Sequence, residues 1–222
     1  MDVPTFDFAD ARNRMVDSQV RPNKVTDPRI IAAMREIPRE LFVPPSLLKV
    51  AYIDRDIPLG RGRMLIEPMV IARLIQLLAV DEGDRVLVIG AGSGYGAAIV
   101  SACGARVTAL EEERELIELG QGALNQLAPH VSVVTGPLEA GWPTNAPYDS
   151  ILIEGAVETI PQELGGQLKA DSGRLVAVVK PGPGVGQAVL AEPTPLGLRA
   201  QPMFDCATPV IPAFRTKPGF VF

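Results

Sequence analysis

An apolar run that breaks into closely spaced glycines constrains this chain most strongly. Residues 86–89 are branched and apolar, and Gly90, Gly92 and Gly94 follow closely. A run this short and rich in β-branched residues predicts a buried strand, because most helices are longer. Glycines let the main chain turn tightly where a Cβ atom would clash. We therefore expect a strand, a tight turn over residues 90–94 (the glycine turn) and a helix whose free N–H groups face a ligand.

A carboxylate follows the glycine turn at the distance typical of nucleotide-binding units. Residues 107–110 predict a second strand, and Glu111 comes directly after it. In a βαβ unit, the acid about 20 residues beyond the glycines accepts hydrogen bonds from ribose hydroxyls. The pattern predicts a nucleoside cofactor held by the glycine turn and Glu111. The alternative is close packing of a helix on the sheet without a ligand, with Glu111 among the acids of a helix N-terminus.

Beyond the glycine turn, apolar strands alternate with helices. We expect helices at 94–103, 112–127 and 161–169, and strands at 106–110, 131–135, 149–153 and 173–179. This alternation predicts an α/β fold with a doubly wound, mostly parallel sheet. The later strands are expected at 187–190, 198–204 and 219–222. Their short connections cannot hold crossover helices, so they are expected to pair antiparallel at one edge.

The part before the glycine turn predicts N-terminal helices and an irregular crossing. We expect a charged surface helix or arm at 9–20, a capped helix at 29–37, a surface loop at 51–63 and a mostly buried helix at 69–78. The chain, 1–222, is expected to form one domain: residues 1–66 as helical arm and loop, 67–180 as cofactor-binding core, and 181–222 as edge strands.

Composition narrows the classes of partner. With 47% hydrophobic residues the chain can bury a real core, and its net charge of −5 gives no general attraction to nucleic acid or to anionic membranes. Two cysteines and one histidine provide neither a disulfide framework nor metal-ligand spacing. No apolar run reaches membrane-spanning length, and no secretory leader is evident. We expect a cytoplasmic protein without nucleic acid, membrane or metal partners; its oligomeric state stays open.

A nicotinamide cofactor is the first rival for the glycine turn. The stretch from Gly92 to Ala97 can be written G-x-G-x-x-A, but in that motif the first glycine comes directly after the strand. Here that glycine is Gly90, and the position five residues later is Tyr95. No lysine follows, as a phosphate-binding loop would require. The spacing fits a smaller ligand whose amino-acid end lies on the glycine turn, and Tyr95 either contacts it or packs against the sheet.

Residues 86–98, Val-Leu-Val-Ile-Gly-Ala-Gly-Ser-Gly-Tyr-Gly-Ala-Ala, resemble the first motif of protein-L-isoaspartate O-methyltransferases. These enzymes use S-adenosylmethionine on a Rossmann-like class I methyltransferase fold. Further similarity lies at 32–44, 51–60, 141–149, 160–164 and 168–175, so that the resemblance runs from about residue 12 to residue 180. It implies one methyltransferase domain in which Gly90, Gly92 and Gly94 hold the methionine end of the cofactor and Glu111 holds the ribose.

The chain departs from this family beside the expected methyl group. The family has Gly-Gln-Thr-Ile-Ser-Gln-Pro there, whereas residues 62–68 are Gly-Arg-Met-Leu-Ile-Glu-Pro. Met64 stands at the threonine position and Ile66 at the serine position, and neither side chain donates a hydrogen bond. Two cofactor positions also differ, because Val88 replaces an acid and Pro137 replaces an aspartate.

Further residues outside the glycine turn are candidates for the site. Arg61 and Arg63 flank the altered segment, where each either grips a carboxylate or is a solvated loop arginine. Glu154 follows the strand expected at 149–153, at the end where ligands gather in such sheets. We place Arg61, Arg63 and Ile66 on the substrate side and leave the catalytic residues unassigned. Glu154, like Tyr95, joins the expected cofactor-binding residues.

Three functions agree with these residues. The first is S-adenosylmethionine-dependent carboxyl methylation of isoaspartyl residues in a damaged protein or peptide, which is protein repair. The second is a module that binds the cofactor without methylating isoaspartate. The third is methylation of another, small anionic acceptor, selected by Met64, Ile66 and the nearby arginines. A carboxylate acceptor is ionised at neutral pH and needs no general base, so alignment carries most of the catalysis.

Overall fold

The computed structural model describes residues 6–216, which contain six α-helices and nine strands. The helices are α1 (Phe8–Met15), α2 (Pro28–Glu36), α3 (Pro68–Leu78), α4 (Tyr95–Ala102), α5 (Arg114–Leu127) and α6 (Gln162–Gly165). The strands are β1 (Ile57–Gly60), β2 (Arg63–Leu65), β3 (Arg85–Ile89), β4 (Arg106–Glu111), β5 (Ser132–Thr135), β6 (Ser150–Val157), β7 (Arg174–Val179), β8 (Gly186–Thr194) and β9 (Gly197–Cys206).

A seven-stranded sheet of order β5-β4-β3-β6-β7-β8-β9 forms the centre of the fold. Strands β3 to β7 pair in parallel, whereas β8 pairs antiparallel with β7 and β9 antiparallel with β8. The strand order reverses between β3 and β6, and such a switch point leaves a crevice at the carboxyl ends of the strands. The expected doubly wound sheet with antiparallel edge strands is confirmed.

Both faces of the sheet are covered, as its two-sided apolar strands require. On β3, Val86 and Val88 belong to the larger core, which the N-terminal helices and α3 to α5 complete. Leu87 and Ile89 point to the opposite face and join a smaller core with Tyr148 and other residues of the later connections. Val88, where the family has an acid, is therefore fully buried in apolar surroundings.

Two N-terminal expectations need correction. Part of the loop expected at 51–63 is strand β1, which pairs with β2 in a hairpin whose apolar residues, such as Ile57 and Leu65, are buried. The charged surface helix or arm expected at 9–20 is a helix, α1, only as far as Met15; a π-helical turn follows at Val16–Val20, and Met15, Val16 and Val20 are buried rather than at the surface. Both segments are rich in charged residues, and this composition gave no sign that their few apolar side chains are buried.

Two later expectations also change. The helix expected at 161–169 ends at Gly165. Beyond it, Gln167 and Lys169 form main-chain hydrogen bonds with Tyr148 instead of continuing the helix. Residues 207–216, expected among the edge strands, form no strand of the sheet. This C-terminal segment turns back over the carboxyl end of β6, where Ala156 exchanges main-chain hydrogen bonds with Pro209 and Ile211. The strand expected at 219–222 lies outside the described residues.

Helix α5 packs on the glycine turn through a glycine of its own. A Cβ atom on Gly120 would overlap the carbonyl oxygen of Ser93, whereas a Cβ atom on Gly122, two residues along the same helix, would meet nothing within 4 Å. The close approach at Gly120 therefore sets the distance between α5 and the turn.

We predict opposite effects of alanine at these two glycines. Gly120→Ala forces α5 away from the main chain of the turn and should lower the free energy of unfolding by about 1–3 kcal/mol or more. Gly122→Ala, the matched control, should raise it by up to about 1 kcal/mol, because alanine favours an exposed helical position. Chemical denaturation measures both, and similar stabilities of the two variants would contradict the packing described.

Candidate active site

The glycine turn has the shape that its sequence predicts. Gly90, Gly92 and Gly94 have φ angles of +68°, +58° and +94°, which side-chain-bearing residues rarely adopt. The N–H groups of Gly90 and Ala91 donate to the carbonyl oxygen of Leu110 at 2.9 and 3.1 Å. These bonds tie the turn to β4, and α4 begins directly after it.

Glu111 lies against the turn, as expected from its position after β4. Its Oε2 accepts from the N–H of Gly92 at 2.7 Å, and its Oε1 accepts from the N–H groups of Glu112 and Glu113 at 2.9 and 3.1 Å. The carboxylate is 1% exposed. The structure thus brings together the glycines and the acid that the sequence predicts to share a ligand.

A cation from β2 already occupies this carboxylate. Arg63 is 3% exposed, and its Nη1 lies 2.9 Å from both carboxylate oxygens of Glu111. Its Nη2 donates to the carbonyl oxygen of Gly90 at 2.6 Å. The interpretation of Arg63 as a solvated loop arginine is therefore wrong. The guanidinium lies over the glycine turn with its charge compensated inside the protein.

The other residues of the altered segment have different environments. Arg61 is exposed at the tip of the β1–β2 hairpin and pairs with Glu115, as expected of a solvated arginine. Ile66 is buried and lines a small cavity together with Met64, Glu154 and other residues. This wall of the site is apolar, as the sequence predicts.

Tyr95 packs inside the protein next to an arginine that sequence reasoning missed. Its ring centroid lies 5.5 Å from that of Phe42 and 4.9 Å from the guanidinium carbon of Arg39. Arg39 is fully buried and donates to the carbonyl oxygens of Ala51 and Ile66 at 2.9 and 2.6 Å. It fixes the main chain at the apolar wall. One sequence signal for Arg39 was available, because the residue lies within 32–44, a stretch that resembles the family.

Glu154 is a buried acid at the end of the switch-point crevice. Desolvation raises the pKa of its carboxyl to about 8, although Arg63 and Arg39 favour the ionised form. Its Oε2 lies against the first turn of α4 at Gly96 and has no hydrogen-bond partner among residues 6–216. Burial therefore favours the neutral acid over a second anion beside Glu111.

The C-terminal segment completes the crevice. A Cβ atom on Gly90 would lie 3.1 Å from Ile211, and one on Gly62 would lie 2.9 Å from Pro212. Nothing in the sequence pointed to this segment as part of the site. The space left beside Arg63 measures about 10 Å³.

An open groove lies beside this filled crevice. It measures about 880 Å³ and is lined by Glu112, Glu139, Glu158, Pro212, Ala213, Arg215 and Thr216. Within residues 6–216 no group of histidine, cysteine or acidic side chains is arranged to hold a metal ion. None of the helices in the same range combines the length and apolar character needed to cross a bilayer.

Comparison with known proteins identifies the family. The family described as Protein-L-isoaspartate(D-aspartate) O-methyltransferase (PCMT) matches residues 10–191. The chain belongs to the protein-L-isoaspartate O-methyltransferase family. A protein-L-isoaspartate O-methyltransferase of Methylorubrum extorquens is 43% identical over 187 residues, which are 84% of this chain and 81% of the relative. One from Gloeobacter violaceus is 37% identical and covers 92% of this chain and 98% of its own length.

Solved structures agree with this assignment. A protein-L-isoaspartate O-methyltransferase superposes with a TM-score of 0.79 at 26% identity, over 90% of this chain and 65% of the other. A structure from Plasmodium falciparum, described as a family member in complex with S-adenosyl-L-homocysteine, has a TM-score of 0.72 at 16% identity and shares the fold. The Rossmann-like class I methyltransferase fold is confirmed. Family members are S-adenosylmethionine-dependent O-methyltransferases, and membership confirms the expected enzyme class and cofactor.

The raised pKa of Glu154 predicts how stability depends on pH. The folded protein keeps this proton up to about pH 8, whereas an unfolded glutamate loses it near pH 4.5. Between these values the folded state binds one more proton, so the free energy of unfolding falls as pH rises, by at most about 1.4 kcal/mol per pH unit. Glu154→Gln should reduce this fall.

Thermal melting from about pH 5 to about pH 8 measures the effect. Glu163→Gln on α6, an exposed position, is the matched control and should leave the profile unchanged. Identical profiles of wild type and Glu154→Gln would show that Glu154 does not hold its proton in the folded state.

Proposed function

We propose that this chain methylates the side-chain carboxylate of isoaspartyl residues in damaged proteins or peptides, using S-adenosylmethionine. The observation that carries the proposal is the contact between the glycine turn and Glu111 at the switch point, in a chain of this family. Relatives 37–43% identical bear the name of this activity.

The main chain of the site fits the cofactor. The glycines themselves place no side chain over the turn, so once Arg63 moves, Gly90, Gly92 and Gly94 would hold the methionine end. Glu111 would accept hydrogen bonds from the ribose hydroxyls, which charge strengthens. The adenine end would enter the groove lined by Glu112 and Glu139. Arg63 occupies the ribose position, and the fit therefore requires its side chain to move.

The residues that bind the acceptor need only align it with the methyl group. The bound cofactor supplies a methyl group on a positively charged sulfur, a good leaving group. An isoaspartyl carboxylate is ionised at neutral pH, so the chain needs no general base for it. Holding the reactants in line supplies on the order of 7–11 kcal/mol. The residues around the acceptor must therefore bind and orient it rather than exchange protons with it.

Glu154 supports binding of an anionic acceptor. Met64 and Ile66 donate no hydrogen bond, but the carboxyl of Glu154 and the buried hydroxyl of Thr208 line the same cavity. A protonated carboxyl is a donor, and it does not repel an acceptor carboxylate. We assign Glu154 to the acceptor rather than to the cofactor, with Arg61 and Tyr95 outside both sets of contacts.

A second candidate function follows from the apolar wall at Met64 and Ile66. This wall favours a small anionic acceptor with an apolar body over a flexible peptide. The same fold and cofactor would serve that reaction, so only the acceptor distinguishes the two candidates.

Charge and cysteine chemistry support the proposed partners and location. The net charge of −5 supports a protein or small-molecule substrate over nucleic acid. Cys103 and Cys206 are buried and form no disulfide, which supports a reducing compartment such as the cytoplasm. We propose that residues 1–222 form one methyltransferase domain.

We predict selective methylation of an isoaspartyl peptide over the same peptide with normal aspartate. Transfer of a labelled methyl group from S-adenosylmethionine, followed by base-induced release of methanol, measures ester formation. The normal peptide is the matched control. Binding of S-adenosylhomocysteine without methylation of either peptide would overturn the proposal, and a panel of small anionic acceptors would then test the second candidate.

A further inference from the structure

The carboxylate of Glu111 has no free place for a ribose hydroxyl. Its two oxygens accept from three main-chain N–H groups, of Gly92, Glu112 and Glu113, and both also contact the guanidinium of Arg63. A carboxylate offers about four lone-pair sites, so these donors saturate it. A ligand that needs this carboxylate has to replace a donor.

Arg63 is the donor that can leave. The three N–H groups belong to the tight turn after β3 and to the start of α5, and the surrounding backbone fixes them. Arg63 reaches Glu111 through a long side chain from the three-residue strand β2. Its departure would free a place on Oε2 of Glu111, which then accepts only from the N–H of Gly92, and the carbonyl oxygen of Gly90.

Arg63 also fills the space that a ribose would need. Its Nη2 atom lies 2.7 Å from where a Cβ atom on Gly90 would stand, and Ile211 closes the same side. The cavity of about 10 Å³ left beside it holds at most one water molecule. The guanidinium and a ribose therefore exclude each other by volume as well as by hydrogen bonding.

We propose that Arg63 sets the affinity of this chain for its cofactor by competing with the ribose for Glu111. The inference rests on the proposed function, because the ribose belongs to the S-adenosylmethionine that this function uses. When the ligand binds, a ribose hydroxyl takes the place that the guanidinium held on Glu111.

Calorimetric titration with S-adenosylhomocysteine tests the competition. Arg63→Ala removes the competitor, and we expect it to bind this ligand at least about tenfold more tightly than wild type, equivalent to about 1.4 kcal/mol. Arg61→Ala is the matched control, because Arg61 belongs to the same hairpin and carries the same charge but contacts Glu115 at the surface. It should leave the affinity unchanged.

A pair of nucleosides separates competition for the hydroxyls from a simple gain of space. Adenosine should gain affinity for Arg63→Ala as S-adenosylhomocysteine does. 2′,3′-Dideoxyadenosine, which lacks both ribose hydroxyls, should gain much less. Equal gains for the two nucleosides would overturn the role assigned to Glu111.

Folding of the variants is controlled separately. Loss of a buried ion pair destabilises a protein, so thermal melting and circular dichroism accompany each titration. Arg63→Gln, which keeps a shorter polar side chain without the charge, serves if Arg63→Ala does not fold, and it should also bind more tightly than wild type. Equal affinities of wild type and the folded Arg63 variant overturn the inference and leave the proposed function standing. Absence of binding to every form overturns both.

Discussion

The ion pair between Arg63 and Glu111 decides the geometry of the site. Both side chains are buried, and a buried pair persists only where other hydrogen bonds satisfy its remaining polar atoms. Those bonds come from the carbonyl oxygen of Gly90 and from N–H groups of the turn and of residues 112–113. One contact therefore joins the β1–β2 hairpin to the ends of β3 and β4. The hairpin belongs to the site because of this contact.

The rest of the site is held rigidly around that pair. Ser93 in the turn donates from its hydroxyl to the carbonyl oxygen of Phe42 at 2.6 Å, and α5 approaches the same residue at Gly120. Arg39, from the N-terminal part of the chain, donates a hydrogen bond to the carbonyl oxygen of Ile66. A turn fixed from several directions is preorganised, so a ligand does not have to order it. The cost of binding then falls mainly on the side chain of Arg63.

Local sequence patterns predicted the main-chain elements of the site. Contacts between distant residues determine which other side chains lie in it. The turn, Glu111 and the parallel sheet follow from short apolar runs, glycines and spacing, which act over a few residues or one βαβ unit. The sequence left open whether Arg63 is solvated, because its partner lies 48 positions later in the chain. Arg39 pairs with carbonyl oxygens, which no residue pattern reveals. The C-terminal segment was missed because proline-rich sequence without periodicity does not indicate where it packs.

The segment that carries Ile211 and Pro212 makes the crevice depend on contacts between distant parts of the chain. One wall of the crevice comes from a hairpin near the beginning of the chain, and the opposite wall comes from residues that follow every strand of the sheet. Contacts between such distant parts of a sequence form slowly, because loop closure must be achieved first. The seven strands of the sheet do not include the residues that form this second wall. The crevice is thus complete only when both parts lie against the sheet.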